Sequence, residues 1–355
     1  MATPKTLVVA GGGVVGLSVA RAAARAGLQV LLLESNARVG METSARNSEV
    51  VHAGIYYAKD SWKARLCVRG REQLYAFCDQ YSVPYKKCGK LIVASASEHQ
   101  HEQLRSIAKR GLANGVTDLR WLSKDQAREI EPHVECQEAL YSPSTGIIDS
   151  HSLMLALQGD AEAHGAVVAV STTVRGGVYN EKDKTFVIRA SQGEADSGEE
   201  HEVGLPTVPK LFAKGTYFKL RESVRPFRGL VYPIPEVGGL GVHSTVDMEG
   251  NVRFGPDVEW VNEINYVPNP SKANEFAERI RSYWPQVSAD QLIADYCGIR
   301  PKINLNGSVY EDFFLMDASR HGMPGLVHLC GFESPGLTSS LAIANTVLEM
   351  LQTGR

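Results

Sequence analysis

The order of apolar and polar positions at the start of the chain predicts a strand, a helix and a second strand. An apolar run at 7–10 leads into three glycines, a near-continuous apolar stretch covers 14–26, and 30–33 is apolar again. A short apolar run bounded by glycine is typical of a buried strand, and the longer stretch suits a crossover helix that packs on a sheet. The chain therefore opens with a β-α-β unit.

Similar patterns continue to the other end of the chain. Helical patterns are found at 62–81, 98–114, 124–131, 151–164, 273–284, from 288 onward, and at 340–351. The pattern S-x-x-Q at Ser97 and Ser123 predicts that these two serines cap helix starts. Apolar runs bounded by turn residues predict strands at 90–94, 167–170, 186–190, 212–220, 229–234, 241–247, 252–255 and 326–329.

This order of elements predicts an α/β fold of two interleaved domains, one Rossmann-like and one α+β with an antiparallel sheet. The Rossmann-like domain is discontinuous and comprises 1–86, 146–190 and 300–355. The α+β domain, which we expect to bind the substrate, comprises 87–145 and 206–299. The segment 191–205 is acidic and almost without apolar residues, so it is predicted to be a surface linker.

The glycines of the opening unit have the spacing of a dinucleotide-binding turn. Gly11 permits the tight turn, Gly13 lets the backbone approach a pyrophosphate, and Gly16 lets helix and strand pack closely. Glu34 ends the second strand, where a carboxylate accepts hydrogen bonds from a ribose and repels the 2′-phosphate of NADP. The unit therefore favours dinucleotide binding over a purely structural glycine-rich turn, with FAD or NAD as the dinucleotide.

Composition excludes several classes of protein. The net charge of −3 lacks the basic excess of a nucleic-acid-binding protein. No apolar run approaches the ~18 residues that a transmembrane helix needs, and the first strand begins too early for a signal or transit peptide to precede it. The six cysteines form no CxxC pair, so we expect reduced thiols, no metal site and a soluble intracellular protein.

Two single residues are candidates for chemistry. His52 lies between apolar residues, where a core histidine is common, but an imidazole there could also take a hydroxyl proton near neutral pH. Arg300 lies at the probable end of an apolar strand, before Pro301, and its guanidinium could bind a carboxylate in a bidentate manner or form a surface ion pair.

A glycine-rich loop at 331–340 precedes the last helix. Backbone N–H groups at a helix start can stabilise negative charge that develops on a reduced flavin ring. A nicotinamide enzyme has less need of this feature, so the loop favours FAD.

At these residues the sequence resembles the FAD-dependent oxidoreductases of the D-amino-acid oxidase and glycine oxidase superfamily, and within it the L-2-hydroxyglutarate dehydrogenases. The similar stretches span nearly the whole chain in family order: GGGVVGLSVARAAARAG, ARNSEVVHAGIYY, CGKLIVA, STGIIDSH, AKGTYF, YPIPEVGGLGVHSTVDMEGNVRFGPDVEW, GIRPKI and GFESPGLTSSLAIA. The resemblance implies a two-domain flavoprotein that oxidises a small 2-hydroxy dicarboxylate, L-2-hydroxyglutarate, to 2-oxoglutarate by hydride transfer to flavin N5.

The resemblance also implies roles for individual residues. The ADP half of FAD is expected at Gly11, Gly13, Gly16 and Glu34. The flavin is expected to be lined by Ser44, Arg46, Asn47 and Ser48, with its pyrimidine end at Gly331, Gly336, Leu337 and Thr338. Arg300 is expected to bind the substrate carboxylate, and His52 to act as the base. The electron acceptor, which could be a quinone, another carrier or oxygen, is not identified, and the family implies mitochondria in a eukaryote.

The chain departs from the family pattern in its middle. Relatives normally have a further strand, ending in a V-N-A-A-G-type turn, and a short helix where this chain has the acidic segment 191–205. That strand adjoins the nucleotide fold and contacts FAD. Two alternatives to the dehydrogenase therefore stay open: an amino-acid oxidase of the same fold, and a flavin-free inactive variant.

Overall fold

The computed structural model describes residues 6–95, 97–193, 210–221, 224–235 and 241–353. The predicted acidic linker lies outside these residues from position 194 onward. The helices are α1 Val14–Arg25, α2 Trp62–Tyr81, α3 Glu98–Ala113, α4 Lys124–Ile130, α5 Ser150–Ala163, α6 Ala273–Ile280, α7 Ala318–His321 and α8 Gly336–Thr353. Short 3₁₀ turns are found at Thr43–Ala45, Pro270–Lys272 and Ala289–Gln291.

The strands of the first half are β1 Thr6–Ala10, β2 Gln29–Leu33, β3 Val50–Val51, β4 Tyr85–Lys86, β5 Lys90–Ala94, β6 Arg120–Ser123, β7 Glu138–Ser142, β8 Gly146–Ile148 and β9 Val167–Ala169. Those of the second half are β10 Thr172–Asn180, β11 Thr185–Gln192, β12 Lys210–Leu220, β13 Leu230–Pro233, β14 Ser244–Val246, β15 Val252–Phe254, β16 Glu259–Val261, β17 Leu292–Leu305, β18 Ser308–Val309, β19 Phe314–Met316 and β20 His328–Cys330.

The chain divides into two compact units. The first comprises Met1–Ala45, Ser150–Lys210 and Lys302–Arg355, and the second comprises Arg46–Asp149 and Leu211–Pro301. The sequence had placed 46–86 with the nucleotide-binding part, whereas the structure places it in the second unit. The reason is that Arg71 and Tyr75 of α2 donate hydrogen bonds to Ser144, and β4 pairs with β8.

The first unit contains a parallel sheet in the order β1-β2-β9, which is the predicted Rossmann-like core. Helix α1 packs against α5 and α8 through buried alanines and leucines, and Arg21 of α1 pairs with Asp160 of α5 at 2.5 Å. Strands β10 and β11 form an antiparallel hairpin, and β19 and β20 form an antiparallel pair with α7 between them in the chain. Within the described residues β1 has a strand neighbour on one side only.

The second unit contains a large sheet in the order β17-β12-β15-β14-β13-β5-β7-β6, with β16 also on β12. Neighbours of known register are antiparallel except β5 and β13, which are parallel. Its core includes the buried rings of Phe218, Phe254, Phe276, Tyr283 and Trp284. The predicted fold class, a Rossmann-like domain interleaved with an antiparallel-sheet domain, is thus confirmed.

Several predicted elements differ from the structure in extent. The helix expected from 288 is only a 3₁₀ turn, because β17 begins at Leu292 and continues through Pro301 to Leu305. Arg300 therefore lies within a strand and not at its end. Ser123 forms the predicted capping box with Gln126, whereas Ser97 makes no side-chain cap.

The described residues contain no helix with the length and apolar character that a bilayer span requires. All six cysteines are free thiols. Burial raises the pKa of the Cys67 thiol to about 12, so this thiol stays protonated at neutral pH.

Candidate active site

The turn between β1 and α1 has the geometry that its glycines predict. Gly11 has a φ of +104°, and its N–H donates to the carbonyl of Leu33 at 2.8 Å, which ties the turn to the end of β2. A Cβ on Gly16 would lie 1.9 Å from the Gly11 carbonyl oxygen, so α1 approaches the turn as closely as glycine permits. Gly13 is the N-cap of α1, and no acidic residue occupies the first turn of that helix.

Glu34 is held beside this turn. Its carboxylate is only 7% exposed, and it accepts hydrogen bonds from the backbone N–H of Gly12 at 2.6 Å and of Asn36 at 2.7 Å. Oε1 also accepts from the Asn36 side-chain amide at 2.8 Å and the Ser35 hydroxyl at 3.3 Å, whereas Oε2 accepts from Gly12 and keeps a lone pair for a ribose hydroxyl. The turn and this acid fit the ADP half of a dinucleotide.

Ser44 belongs to the nucleotide turn as well. Its hydroxyl oxygen accepts a hydrogen bond from the N–H of Val14, the first residue of α1, at 3.0 Å. A Cβ on Gly13 would lie 3.0 Å from the same oxygen. Ser44 therefore caps α1 from a distant loop, and its contact with the flavin stays a prediction.

The second glycine-rich loop leads into α8, four residues earlier than the sequence indicated. Gly331 has a φ of +65°, and α8 begins at Gly336, so Leu337 and Thr338 lie in its first turn. Backbone N–H groups of a first turn have no intrahelical acceptor, which suits an anionic ligand. Nearby, the carboxylate of Glu333 pairs with the Lys302 ammonium at 2.7 Å.

In the second unit, Arg46 is packed closely against the sheet. Its guanidinium carbon lies 4.2 Å from the centre of the Tyr266 ring, and a Cβ on Gly298 would lie 2.0 Å from the Arg46 carbonyl oxygen. The Arg46 Nε is buried and has no hydrogen-bond partner among the described residues. A buried guanidinium N–H without an acceptor is suited to donate a hydrogen bond to an anionic or carbonyl group of a ligand.

Two stacked tyrosines, Tyr217 and Tyr296, hold Asn47 and Ser48, and their ring centres are 4.4 Å apart. Tyr296 donates to the Asn47 carbonyl oxygen at 2.6 Å, and the Ser48 and Tyr217 hydroxyls are 2.8 Å apart. These contacts hold residues 47 and 48 against β12 and β17. The contact of either residue with a flavin stays a prediction.

His52 follows β3 and is partly buried, between the fully buried Val51 and Ala53. Burial, and then the charges of Lys90 and His243, hold the pKa of His52 well below its ordinary value. The imidazole is therefore neutral at neutral pH and can accept a proton. This chemistry is compatible with the predicted base.

Arg300 directs both terminal nitrogens of its guanidinium at a backbone carbonyl oxygen and not at a carboxylate. Its two terminal nitrogens lie 3.3 and 3.5 Å from the Asp257 carbonyl oxygen, whereas the Asp257 carboxylate binds the Thr216 N–H and the Lys272 ammonium, each at 2.7 Å. The described residues provide no carboxylate partner for Arg300. A Cβ on Gly215 would lie 3.1 Å from an Arg300 terminal nitrogen, so glycine leaves room for the guanidinium.

The structure adds two residues that sequence reasoning missed, Lys90 and His243. Lys90 is 1% exposed, and its ammonium nitrogen lies 4.7 and 4.5 Å from the ring centres of Tyr56 and Tyr232. The His243 ring stacks on Tyr232 at 3.8 Å, and burial lowers its pKa to about 3, with Lys90 and Arg300 as further causes. The only signal in the sequence was a lysine at the start of an apolar strand.

A protein-family profile described as "DAO: FAD dependent oxidoreductase" matches residues 6–350. The chain is 41% identical to "L-2-hydroxyglutarate dehydrogenase, mitochondrial" of Arabidopsis thaliana, over 96% of this chain and 82% of that protein. It is 30% identical to the protein of the same name from Nematostella vectensis, over 96% of this chain and 89% of that protein.

Two solved structures have a similar fold. Dithionite-reduced L-alpha-glycerophosphate oxidase from Mycoplasma pneumoniae, with FAD bound, superposes with a TM-score of 0.87 at 23% identity, covering 99% of this chain and 95% of that chain. Glycine oxidase from Bacillus cereus superposes with a TM-score of 0.76 at 19% identity, covering 99% and 98%.

Proposed function

Since this chain belongs to the family of FAD-dependent oxidoreductases, we propose that it oxidises L-2-hydroxyglutarate to 2-oxoglutarate. The main support is the 41% identity to a plant protein named for this substrate, which extends over 96% of the chain. An oxidoreductase acting on a CH–OH group needs a cation for the substrate carboxylate and an acceptor for the hydroxyl proton. The second unit contains candidates for both in Arg300 and His52.

The residues of the first unit support FAD as the cofactor. Gly11, Gly13, Gly16 and Glu34 have the turn and the acid that fit the ADP half. We assign Gly331, Gly336, Leu337 and Thr338 to the pyrimidine end of the flavin, where the amides of the first turn of α8 supply donors. We assign Ser44, Arg46, Asn47 and Ser48 to the remainder of the flavin. FAD, when bound, supplies the acceptor for a hydride from the substrate.

Arg300 orients the substrate by its C1 carboxylate. A guanidinium forms two parallel N–H···O bonds with a carboxylate, and this one has no competing carboxylate among the described residues. A bidentate grip fixes the direction of the adjacent carbon, which carries both the hydroxyl group and the hydrogen to be removed.

His52 takes the hydroxyl proton. As the C2–H hydride leaves with its electron pair, the O–H bond breaks, its proton moves to the neutral His52 imidazole, and a C=O bond forms at C2. The arriving carboxylates raise the proton affinity of His52, because their negative charge favours the imidazolium. Electrons then pass to a quinone, another carrier or oxygen. In a eukaryotic cell we place the enzyme in mitochondria, the compartment in the names of its relatives.

The test is the anaerobic visible spectrum of the purified protein, recorded with L-2-hydroxyglutarate, with its D-enantiomer and with glycine. We expect a flavin band that bleaches with the L-enantiomer alone. Bleaching with glycine and other amino acids would instead identify an amino-acid oxidase. A protein that stays colourless after incubation with FAD would refute the proposal.

A further inference from the structure

Lys90 is a buried amine without a hydrogen-bond partner among the described residues of the second unit. It is the first residue of β5, in the middle of the large sheet, and it is among the largest fully buried side chains of the protein. Its ammonium nitrogen has no hydrogen-bond partner among the described residues, and no carboxylate there pairs with it. A buried ammonium without an acceptor is unfavourable by several kcal/mol, so such a group calls for a functional explanation.

The surroundings of Lys90 provide partial compensation only. The faces of Tyr56 and Tyr232 flank the ammonium through cation–π contacts. Burial lowers the pKa of Lys90 to about 7, and the Cys67 thiol acts in the opposite direction without restoring the ordinary value. An anion that binds here removes the penalty, because it gives the ammonium an acceptor that the described residues do not provide.

Three further buried hydroxyls of the second unit are also unsatisfied, two of them in the large sheet. The hydroxyls of Tyr56, Thr216 and Ser244 are buried and have no hydrogen-bond partner within the ranges that the structure describes. His243, which shares the Tyr232 ring with Lys90, is influenced electrostatically by Lys90 and by Arg300. Lys90 and His243 share the Tyr232 ring, and Arg300 is a second cation of the same unit that acts on His243, so the unit offers two cations to a molecule with two negative ends.

We propose that Lys90 binds the distal carboxylate of the dicarboxylate substrate, while Arg300 binds the carboxylate next to the reacting carbon. The inference rests on the proposed function, and it makes Lys90 the residue that selects a dicarboxylate over a monocarboxylate. A site that contains a buried, unpaired cation rejects an apolar end, because the cation then stays unsatisfied.

The test compares two substrates of equal carbon number in the wild-type holoenzyme and in Lys90→Met. L-2-hydroxyglutarate has a carboxylate at C5, and L-2-hydroxypentanoate has a methyl group there. We expect the variant to lose at least about 30-fold in kcat/KM for L-2-hydroxyglutarate, chiefly through KM, since truncating one partner of a buried charge pair has an effect of this size. For L-2-hydroxypentanoate we expect kcat/KM to stay unchanged or to rise.

A binding measurement without turnover gives an independent readout. Glutarate and pentanoate are titrated into the oxidised holoenzyme, and binding is followed by the perturbation of the flavin absorbance. The wild type should prefer glutarate, and Lys90→Met should bind both acids equally. Lys214→Met is the matched control, because Lys214 is also buried in this sheet but donates to the Val267 carbonyl at 2.6 Å. It should keep the preference for glutarate.

Two results would overturn the role of Lys90 without touching the proposed function. One is a wild type that oxidises L-2-hydroxyglutarate and a Lys90→Met variant that loses both substrates to the same extent. That result would assign Lys90 to proton transfer or to the fold. The other is an unchanged preference for glutarate in the variant. A wild type that does not oxidise L-2-hydroxyglutarate at all would instead refute the proposed function.

Discussion

Gly16→Ala tests how closely α1 approaches the nucleotide turn. The added Cβ would lie 1.9 Å from the Gly11 carbonyl oxygen and 3.5 Å from a Val9 methyl carbon. Carbon and oxygen that are not bonded to each other need a separation of about 3.3 Å, so helix and turn must move apart by more than an ångström. Overpacking by a methyl group costs up to about 3 kcal/mol, and the better helix propensity of alanine returns about 1 kcal/mol. We expect a net destabilisation of about 2 kcal/mol.

Gly159→Ala is the matched control, because Gly159 lies on the exposed side of α5 in the same unit and a Cβ there meets nothing within 4 Å. We expect this variant to gain about 0.5–1 kcal/mol, by helix propensity alone. The two glycine-to-alanine changes should therefore shift stability in opposite directions. Urea unfolding of the FAD-free protein measures both shifts.

FAD affinity gives the second readout of the Gly16→Ala change. Gly11 and Gly16 lie at the two ends of the turn that we assign to the pyrophosphate. Moving one away from the other should therefore weaken FAD binding at least tenfold, measured by titration of flavin fluorescence. Gly159→Ala should bind FAD as the wild type does. A Gly16→Ala protein that unfolds at the wild-type urea concentration and binds FAD normally would refute the close approach.

Three further predictions concern the second unit. Arg300→Met should lower kcat/KM for the substrate about 100-fold at unchanged flavin content, and normal kinetics would contradict its carboxylate role. His52→Gln should slow flavin reduction about 10²- to 10⁴-fold in stopped-flow experiments, whereas a normal rate would rule out His52 as the base. Lys90 has a folded pKa of about 7 against 10.5 unfolded, so between these values the unfolded chain binds more protons and stability should rise with pH. Over this pH range the free energy of unfolding of the wild type should rise by on the order of 5 kcal/mol more than that of Lys90→Met. Parallel plots of unfolding free energy against pH would contradict this prediction.

Elements fixed by neighbouring residues were predictable from the sequence. Helix α2 and strand β5 have the predicted bounds, and the capping box at Ser123 forms as expected, because each depends on side chains within one or two turns. The nucleotide turn was predictable for the same reason. Its glycines act through local backbone geometry, and Glu34 ends the strand that pairs with β1.

Features that depend on distant pairing were not predictable. Pro301 suggested the end of a strand, yet β17 continues to Leu305 within the sheet. The cluster around Lys90 needs the parallel pairing of β5 with β13, which brings Tyr232 to a lysine 142 positions earlier in the chain. A lysine before an apolar run is also found at the exposed end of a strand, so its burial emerges only from the tertiary structure.

The predicted loss of a strand from the middle of the chain should affect FAD binding less than the family pattern implies. The alignment with the Arabidopsis protein spans 397 positions, against 355 residues here, so at least 42 positions are gaps in this chain. Within the described residues, β1 lacks a second strand neighbour. However, the hydrogen bonds that shape the proposed ADP site lie within the β1-α1-β2 unit: Gly11 to Leu33, and Gly12 to Glu34. Because these hydrogen bonds all lie within the β1-α1-β2 unit, we expect the shortening to affect contacts with the flavin ring more than the binding of the ADP half.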